Sequence, residues 1–379
     1  MLPYTALKNL FTAVYITVLS YPGTTEPDPT QITELEQVRP AVDGENGYAA
    51  LHKLPLTNKD WPEELPRCKP DTPRDCLAFA REHLATYREV ALQIQQTWQA
   101  QEQAVENLRR YSYFRPSAEQ LAIDSPTPPY QLLFMQQDLH AYRFAAGERE
   151  QALPSTCRDA NLALRMLDSH GSLLESIVAA RLLRRDIDLL ARMRAELPPN
   201  HPLPADCDAL RSQPAETIAL CPLMYGEWLG GSESTHADDA KIAADPNASD
   251  AEKTIYFIFM HQVEAQWLYK NSRYCLPEIL AAVAHDEVRV PEPEQRKKYC
   301  SPLNPVCKIE GPDWSNYQAR LLNANRYLRA FELLNHPEAP LPPGYSRDSN
   351  GLSFSLHPEK ADTPAPTITL PLPGSRLTP

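Results

Sequence analysis

The chain has 379 residues, a net charge of −12, 38 prolines, only 12 glycines and eight cysteines. So acidic a balance argues against sequence-independent nucleic-acid binding, which needs Lys and Arg to displace counterions, and against attachment to anionic lipid by charge alone. Few glycines disfavour Rossmann, P-loop and tight-hairpin β folds, which use glycine at positive φ, whereas prolines between periodic segments punctuate helices.

Near the N-terminus one apolar run, Asn9 to Tyr21, follows Lys8 and is closed by Pro22 and Gly23. It is compatible with a signal anchor over residues 1–21, a cleaved signal peptide, or a helix of the fold. Residues 22–73 read as a linker with short helices.

From Asp75 to Arg110 apolar residues step by three and four: Leu77, Ala80, Leu84, Tyr87, Ala91, Ile94, Trp98, Val105 and Leu108, interrupted by Gln101. That spacing predicts one long helix with a heptad seam, between Pro73 and Pro116. Its end, Arg109 to Pro116, interleaves arginines and aromatics. Arg109, Arg110, Tyr111, Tyr113, Phe114 and Arg115 are therefore candidate partner contacts, since Arg and Tyr favour binding hot spots. The structural alternative is a helix C-terminus satisfied by cations and packed rings.

Pro129 to Ala146 repeats the pattern with Leu132, Met135, Leu139 and Tyr142, and Gly147 is the expected C-cap. Ser155 to Asp168 places Cys157, Ala160, Leu164 and Leu167 on one face. His170 reads as part of a turn. Ser172 and Glu175 then form a capping box ahead of a helix carrying Leu174, Val178, Leu182, Leu189 and Met193. Short connections predict antiparallel neighbours.

Pro204 to Trp228 reads as shorter helices, and Leu229 to Asn247 as a long acidic loop. Within that loop His236, Asp238 and Asp239 are a candidate ion or proton-transfer site, against the more ordinary reading of solvated side chains. Ser249 and Glu252 make a second capping box, opening an apolar helix, Thr254 to Lys270, expected to be central. His261 and Glu264 on it are three apart, a lone pair that reads as a core histidine with a helix-edge carboxylate rather than a metal centre. A further helix starts after Pro277, Pro291 to Cys307 is a loop, and Asp313 caps the last helix, with Trp314, Tyr317, Leu321, Ala324, Leu328 and Phe331 in step. Residues 337–379 form a proline-rich tail whose runs GLSFSL and TITLPL are compatible with a small β-hairpin.

The cysteine count is even, and none forms a CxxC, so a disulfide framework is expected. Sequence proximity suggests Cys68 with Cys76, Cys300 with Cys307, and Cys207 with Cys221. The bland alternative is buried thiols in a cytosolic chain.

The N-terminal run, ENGYAALHKLPL at Glu45 to Leu56, RLLRRDIDLL at Arg181 to Leu190 and the short β-like closing segment resemble a loose group of uncharacterised proteobacterial exported or inner-membrane-anchored helical proteins. The resemblance implies a compartment and a helical fold, without any activity.

These readings combine into an all-α fold, an irregular antiparallel bundle or short helical solenoid, with the helical domain at 74–336. The expected function is a non-enzymatic envelope protein, on the periplasmic side of the inner membrane or in the periplasm, that binds a protein partner. Nucleic acid is not expected as a partner, and any membrane contact runs through the N-terminal segment. No catalytic, cofactor or metal set stands out. An exported hydrolase or metal-dependent enzyme using the acidic loops, and a soluble cytoplasmic scaffold, are the alternatives.

Overall fold

The structure is a computed structural model that describes residues 27–55, 61–68, 75–121, 125–291, 314–359 and 363–376. In chain order the helices begin with α1 (Pro29–Gln37), α2 (Tyr48–Leu51), α3 (Cys76–Glu82), α4 (Leu84–Thr97), α5 (Gln99–Leu108), α6 (Ala118–Leu121) and α7 (Gln131–Ala146). They continue with α8 (Arg149–Asp168), α9 (Leu173–Ala195), α10 (Ala215–Ile218), α11 (Cys221–Ala244), α12 (Asp250–Ser272), α13 (Pro277–Ala284) and α14 (Ser315–Asn335). Strands β1 (Tyr345–Asp348), β2 (Gly351–Ser355) and β3 (Thr367–Leu370) form one small antiparallel sheet in that order. The fold is thus predominantly α-helical, and the tail carries the expected hairpin, β1–β2, extended by β3.

Two compact units share the chain. One comprises Ala41–Arg115, Thr127–Ile218 and Asn316–Pro379; the other comprises Met1–Pro40, Pro116–Pro126 and Ala219–Ser315.

In the first unit α8 packs between α7 and α9. The apolar stripe of α7 is fully inside, with Leu132, Met135, Leu139 and Tyr142 all at 1% exposure or less. Gly147 ends α7 in the left-handed region (φ 98), its amide donating to the Phe144 carbonyl at 3.1 Å. Cys157, Ala160, Leu164 and Leu167 are the buried face of α8. Ser172 caps α9 as its spacing predicts, and Leu182, Leu189 and Met193 are buried as expected; Leu174 points to solvent, while Leu183, Ile187 and Leu190 also fill the core.

The predicted rod from Asp75 to Arg110 is three helices, bent at His83 and Trp98. The seam itself is correct and Gln101 continues it, buried at 4% exposure. All three segments pack on α7. A straight rod from Cys76 to Leu108 would run about 50 Å, twice the roughly 24 Å of α7, so the seam stays covered only if the axis bends.

The sheet lays Leu352, Phe354 and Leu370 inward. Phe354 meets Tyr327 of α14 edge-on, at 5.2 Å between ring centres. Asn323 of the same helix accepts from the His357 amide at 2.7 Å and donates to the His357 carbonyl at 3.0 Å.

In the second unit α11 and α12 pack along each other, with α1 and α6 against α11. The stretch read as an acidic loop, Leu229 to Asn247, is the body of α11 down to Ala244. Its two glycines serve packing rather than a turn. A Cβ on Gly230 would stand 2.6 Å from the Leu121 carbonyl oxygen, and Gly231 lies under the Trp267 ring. The apolar start of α12, expected to be central, is half-buried at Thr254 to His261; the fully buried residues come later, from Gln262 to Asn271. The Ser249–Glu252 capping box is present.

Disulfides join Cys68 to Cys76, Cys157 to Cys207 and Cys221 to Cys275. The first is the predicted pair. The second and third replace Cys207 with Cys221: the buried face of α8 brings Cys157 to Cys207 with Cα atoms 5.0 Å apart, and Cys275 comes to Cys221 at 4.7 Å. Three-dimensional approach, not sequence proximity, decides a bridge. The Cys300–Cys307 expectation lies outside the described residues, as do the N-terminal run and Asp313. Three disulfides belong to an oxidising, exported environment. Among the described residues no helix is long and apolar enough to cross a membrane.

Candidate functional site: an arginine-lined cleft

The segment read as a contact surface is largely a strap inside the first unit. Phe114 is fully buried and its amide donates to Ser169 Oγ at 2.7 Å. Arg115 donates from Nε to the Ser169 carbonyl, and Asn46 closes on the Arg115 backbone at 2.7 and 3.0 Å. The Tyr113 carbonyl accepts from the Gly47 amide at 2.8 Å. A Cβ on Gly47 would stand 2.4 Å from the Phe114 ring, so the strap fits only against glycine. Arg110 is exposed, stacked 4.8 Å over the Tyr111 ring. Arg109 turns the other way, into a cleft.

That cleft has a volume of about 560 Å³. Its floor is one face of α8, where Arg158, Asn161, Arg165 and Asp168 recur at steps of three and four, the helical spacing that stacks side chains in a row. One wall is the end of α5, with Glu106 and Arg109. The other is the segment after the 3-10 turn Ala205–Cys207, with Asp206, Ala209 and Gln213. The Cys157–Cys207 disulfide fastens this wall to α8. Asn161 Nδ2 also donates to the Asp206 carbonyl, and Gln213 exchanges backbone bonds with Asn325 of α14 at 2.6 and 3.1 Å.

Charge in the cleft is mostly pre-paired. Arg109, whose side chain is 12% exposed, binds Asp159 at 2.6 Å and Glu106 beside it. Arg158 faces Asp206 at 3.6 Å. Arg165 is different: its Nη1 donates to the carbonyls of Arg109 and Tyr111, both at 2.7 Å, which fix the guanidinium without neutralising it. One turn on, burial pushes the Asp168 carboxyl up to about 7, and its Oδ1 is buried without a partner.

Behind Arg109 a buried polar chain enters the core. Asp159 Oδ2 lies 2.8 Å from His140 Nε2. Burial works to raise the Asp159 carboxyl, but the His140 hydrogen bond and the His140 and Arg109 charges outweigh it and hold the group below its ordinary value. On α9, Asp186 is buried with both oxygens unpaired; burial, then the Asp159 charge, pushes it well above the carboxylate range. Neighbouring Asp138 is clasped by Arg67 at 3.1 Å and Arg185 at 3.0 Å. A second knot joins the 45–55 segment to α9: Tyr48 and Tyr130 donate to Glu175 Oε1 at 3.1 and 3.0 Å, and Ser172 donates to the other oxygen.

In the second unit His236 and Asp239 ride on α11, and Asp239 reaches His261 of α12 only at 3.8 Å. Glu264 accepts from Ser232. His170 is a buried turn residue (φ 47) whose Nε2 lies 2.9 Å from the Thr217 carbonyl oxygen. Among the described residues no group of three or more His, Cys, Asp or Glu side chains could hold a metal ion.

The cleft was not singled out in the sequence beyond Arg109. Its signal is a polar repeat, Arg158, Asn161, Arg165 and Asp168, interleaved with the apolar face of the same helix. No protein-family model, no curated protein and no solved structure matches the chain.

Proposed function

We propose that this chain is an exported, non-enzymatic protein of the cell envelope that binds a partner protein through the arginine-lined cleft and the adjoining Arg110–Tyr111 edge. The observation that carries the reading is the cleft itself: a recess holding three arginines in a chain of net charge −12, built from three segments and fastened by a disulfide. Such a recess focuses field on an acidic group and suits recognition. Two of its three arginines are already committed to internal carboxylates, an arrangement that fixes shape rather than supplying reactive groups. The three disulfides support maturation in an oxidising compartment, and attachment to the inner membrane would rest on residues 1–21.

The test is site-specific photo-cross-linking in cells at position 110, with mass spectrometry of the adducts. One reproducible protein neighbour, lost in the Arg158→Glu variant, is the expected result. No reproducible neighbour defeats the reading. Eight titratable thiols in the native protein would remove the envelope assignment.

A further inference from the structure

The ligand chemistry of the cleft follows from Arg165 and Asp168. Arg165 is the cation there whose charge no carboxylate among the described residues takes up, while two backbone carbonyls hold it in place. A guanidinium fixed this way is set for an incoming oxyanion, because its planar donor array matches a carboxylate. The net charge limits which oxyanion. Arg109, Arg158 and Arg165 face Glu106, Asp206 and Asp168. With Asp168 protonated, these arginines are balanced by Glu106, Asp206 and the Asp159 behind Arg109, so a single negative charge on Arg165 is tolerated more readily than a phosphate dianion. Leu164 and Ala209 supply apolar wall beside these groups.

We propose that the cleft binds the terminal carboxylate of a partner polypeptide, seated on Arg165 and hydrogen-bonded by the Asp168 carboxyl, with the last side chain against Leu164 and Ala209. This assignment rests on the partner-binding reading and narrows it to one chemical group. The same chemistry could be offered by a small organic acid, and the test separates the two. The charged groups that line the cleft with Asp168 are Arg165 and Arg158 on its own helix, Glu106 and Arg109 at the end of α5, and Asp206 from the opposite wall. Since the Asp168 carboxyl titrates near 7, binding weakens as pH rises through that value.

The experiment is isothermal titration of the full chain with acetyl-Ala-Ala-Leu as the free acid and as the amide, with N-acetyl-leucine, and with inorganic phosphate, at pH 6 and 8.5. Expected is binding of the free peptide acid at least about tenfold tighter than of the amide. The affinity should fall by up to roughly thirtyfold between the two pH values, a dependence that Asp168→Asn flattens. Arg165→Gln should abolish binding, with circular dichroism confirming that it folds. Equal binding of acid and amide, or undiminished binding by a folded Arg165→Gln variant, overturns the proposal. N-acetyl-leucine binding as tightly as the peptide acid overturns the polypeptide assignment in favour of a small acid. A reproducible cellular cross-link without peptide binding overturns the carboxylate site alone. Peptide binding without any cellular neighbour supports the site and defeats the broader functional reading.

Discussion

Cys157, on the buried face of α8, is bonded to Cys207 in the 3-10 turn 50 residues later. The residues next to each sulfur, Arg158 and Asp206, face each other at 3.6 Å across the cleft. One covalent bond therefore sets the width of the recess and closes a long loop in the unfolded chain.

Removing that bond should cost stability and cleft geometry together. For a loop of this length the chain-entropy estimate is about 4 kcal/mol. A Cys157→Ser/Cys207→Ser double variant is expected to lose roughly that much in urea unfolding. Hydrogen exchange should rise first at residues 205–213, ahead of α7 and α9. Unchanged protection of 205–213 would show that Asn161 and Asn325 hold the wall without the disulfide.

Asp168 makes stability depend on pH in a defined window. Its folded carboxyl titrates at about 7, above the ordinary 3.8, so the folded chain holds a proton that the unfolded chain releases. Stability contributed by this group is therefore full below about pH 4 and falls until about pH 7. Asp168→Asn should leave stability at pH 4 unchanged and raise it at pH 8 by roughly 1–3 kcal/mol, after allowing for partial solvent access. Equal effects at the two pH values would contradict the assignment.

Asp186 should show the same sign more strongly, for a different reason. Asp168 is raised by burial alone, whereas Asp186 is buried with both oxygens unpaired and also feels the Asp159 charge. Folding therefore favours its protonated form, which the unfolded chain gives up above the ordinary carboxylate range. Asp186→Asn should thus stabilise the protein at neutral pH and have little effect at pH 3.5. Thermal unfolding across that range checks it. A loss of stability at pH 7.5 would mean that the ionised carboxylate has a native role.

Glu175 gathers the hydroxyls of Tyr48, Tyr130 and Ser172 at one buried carboxyl. Burial raises its pKa, against the bonds from both tyrosines that lower it. A neutral acceptor of the same shape should then serve nearly as well. Glu175→Gln is expected to cost less than about 1 kcal/mol, whereas Glu175→Ala strands two buried tyrosine hydroxyls and should cost about 3 kcal/mol or more. Similar losses in the two variants would show that the charge, not the acceptor, matters.

How much of this was legible in the sequence depends on what each signal encodes. The seam from Leu77 to Leu108 names the buried face correctly, even at Gln101, because period reports facing. It is silent on whether the axis stays straight, which the shorter α7 decides. Gly230 and Gly231 amid polar residues read as a loop, yet they sit in α11, where the Leu121 carbonyl approaches Gly230 too closely for a side chain and the Trp267 ring packs over Gly231. Cys207 and Cys221 are near neighbours in sequence, but burial of Cys157 on α8 offers the closer sulfur. The cleft is not legible in the sequence because its four polar residues share α8 with a strong apolar stripe, and partners such as Asp206 come from a distant segment.

Gly47 tests whether the 109–115 strap is structural. It lies at the start of α2 with ordinary backbone angles (φ −88), so alanine brings no backbone strain. The obstacle is contact: a Cβ there meets the Phe114 ring at 2.4 Å and the Tyr111 side chain at 2.8 Å. Phe114 is fully buried and cannot swing aside without opening the core. Gly47→Ala should therefore cost about 1–3 kcal/mol, the range for overpacking a filled interior. It should also shift the Arg109 and Tyr111 carbonyls that hold Arg165. A Gly47→Ala/Phe114→Leu double variant should recover part of the loss, since the smaller side chain makes room. Measured by urea unfolding, no recovery in the double variant would place the clash elsewhere and leave the strap free to serve as the partner surface its composition first suggested.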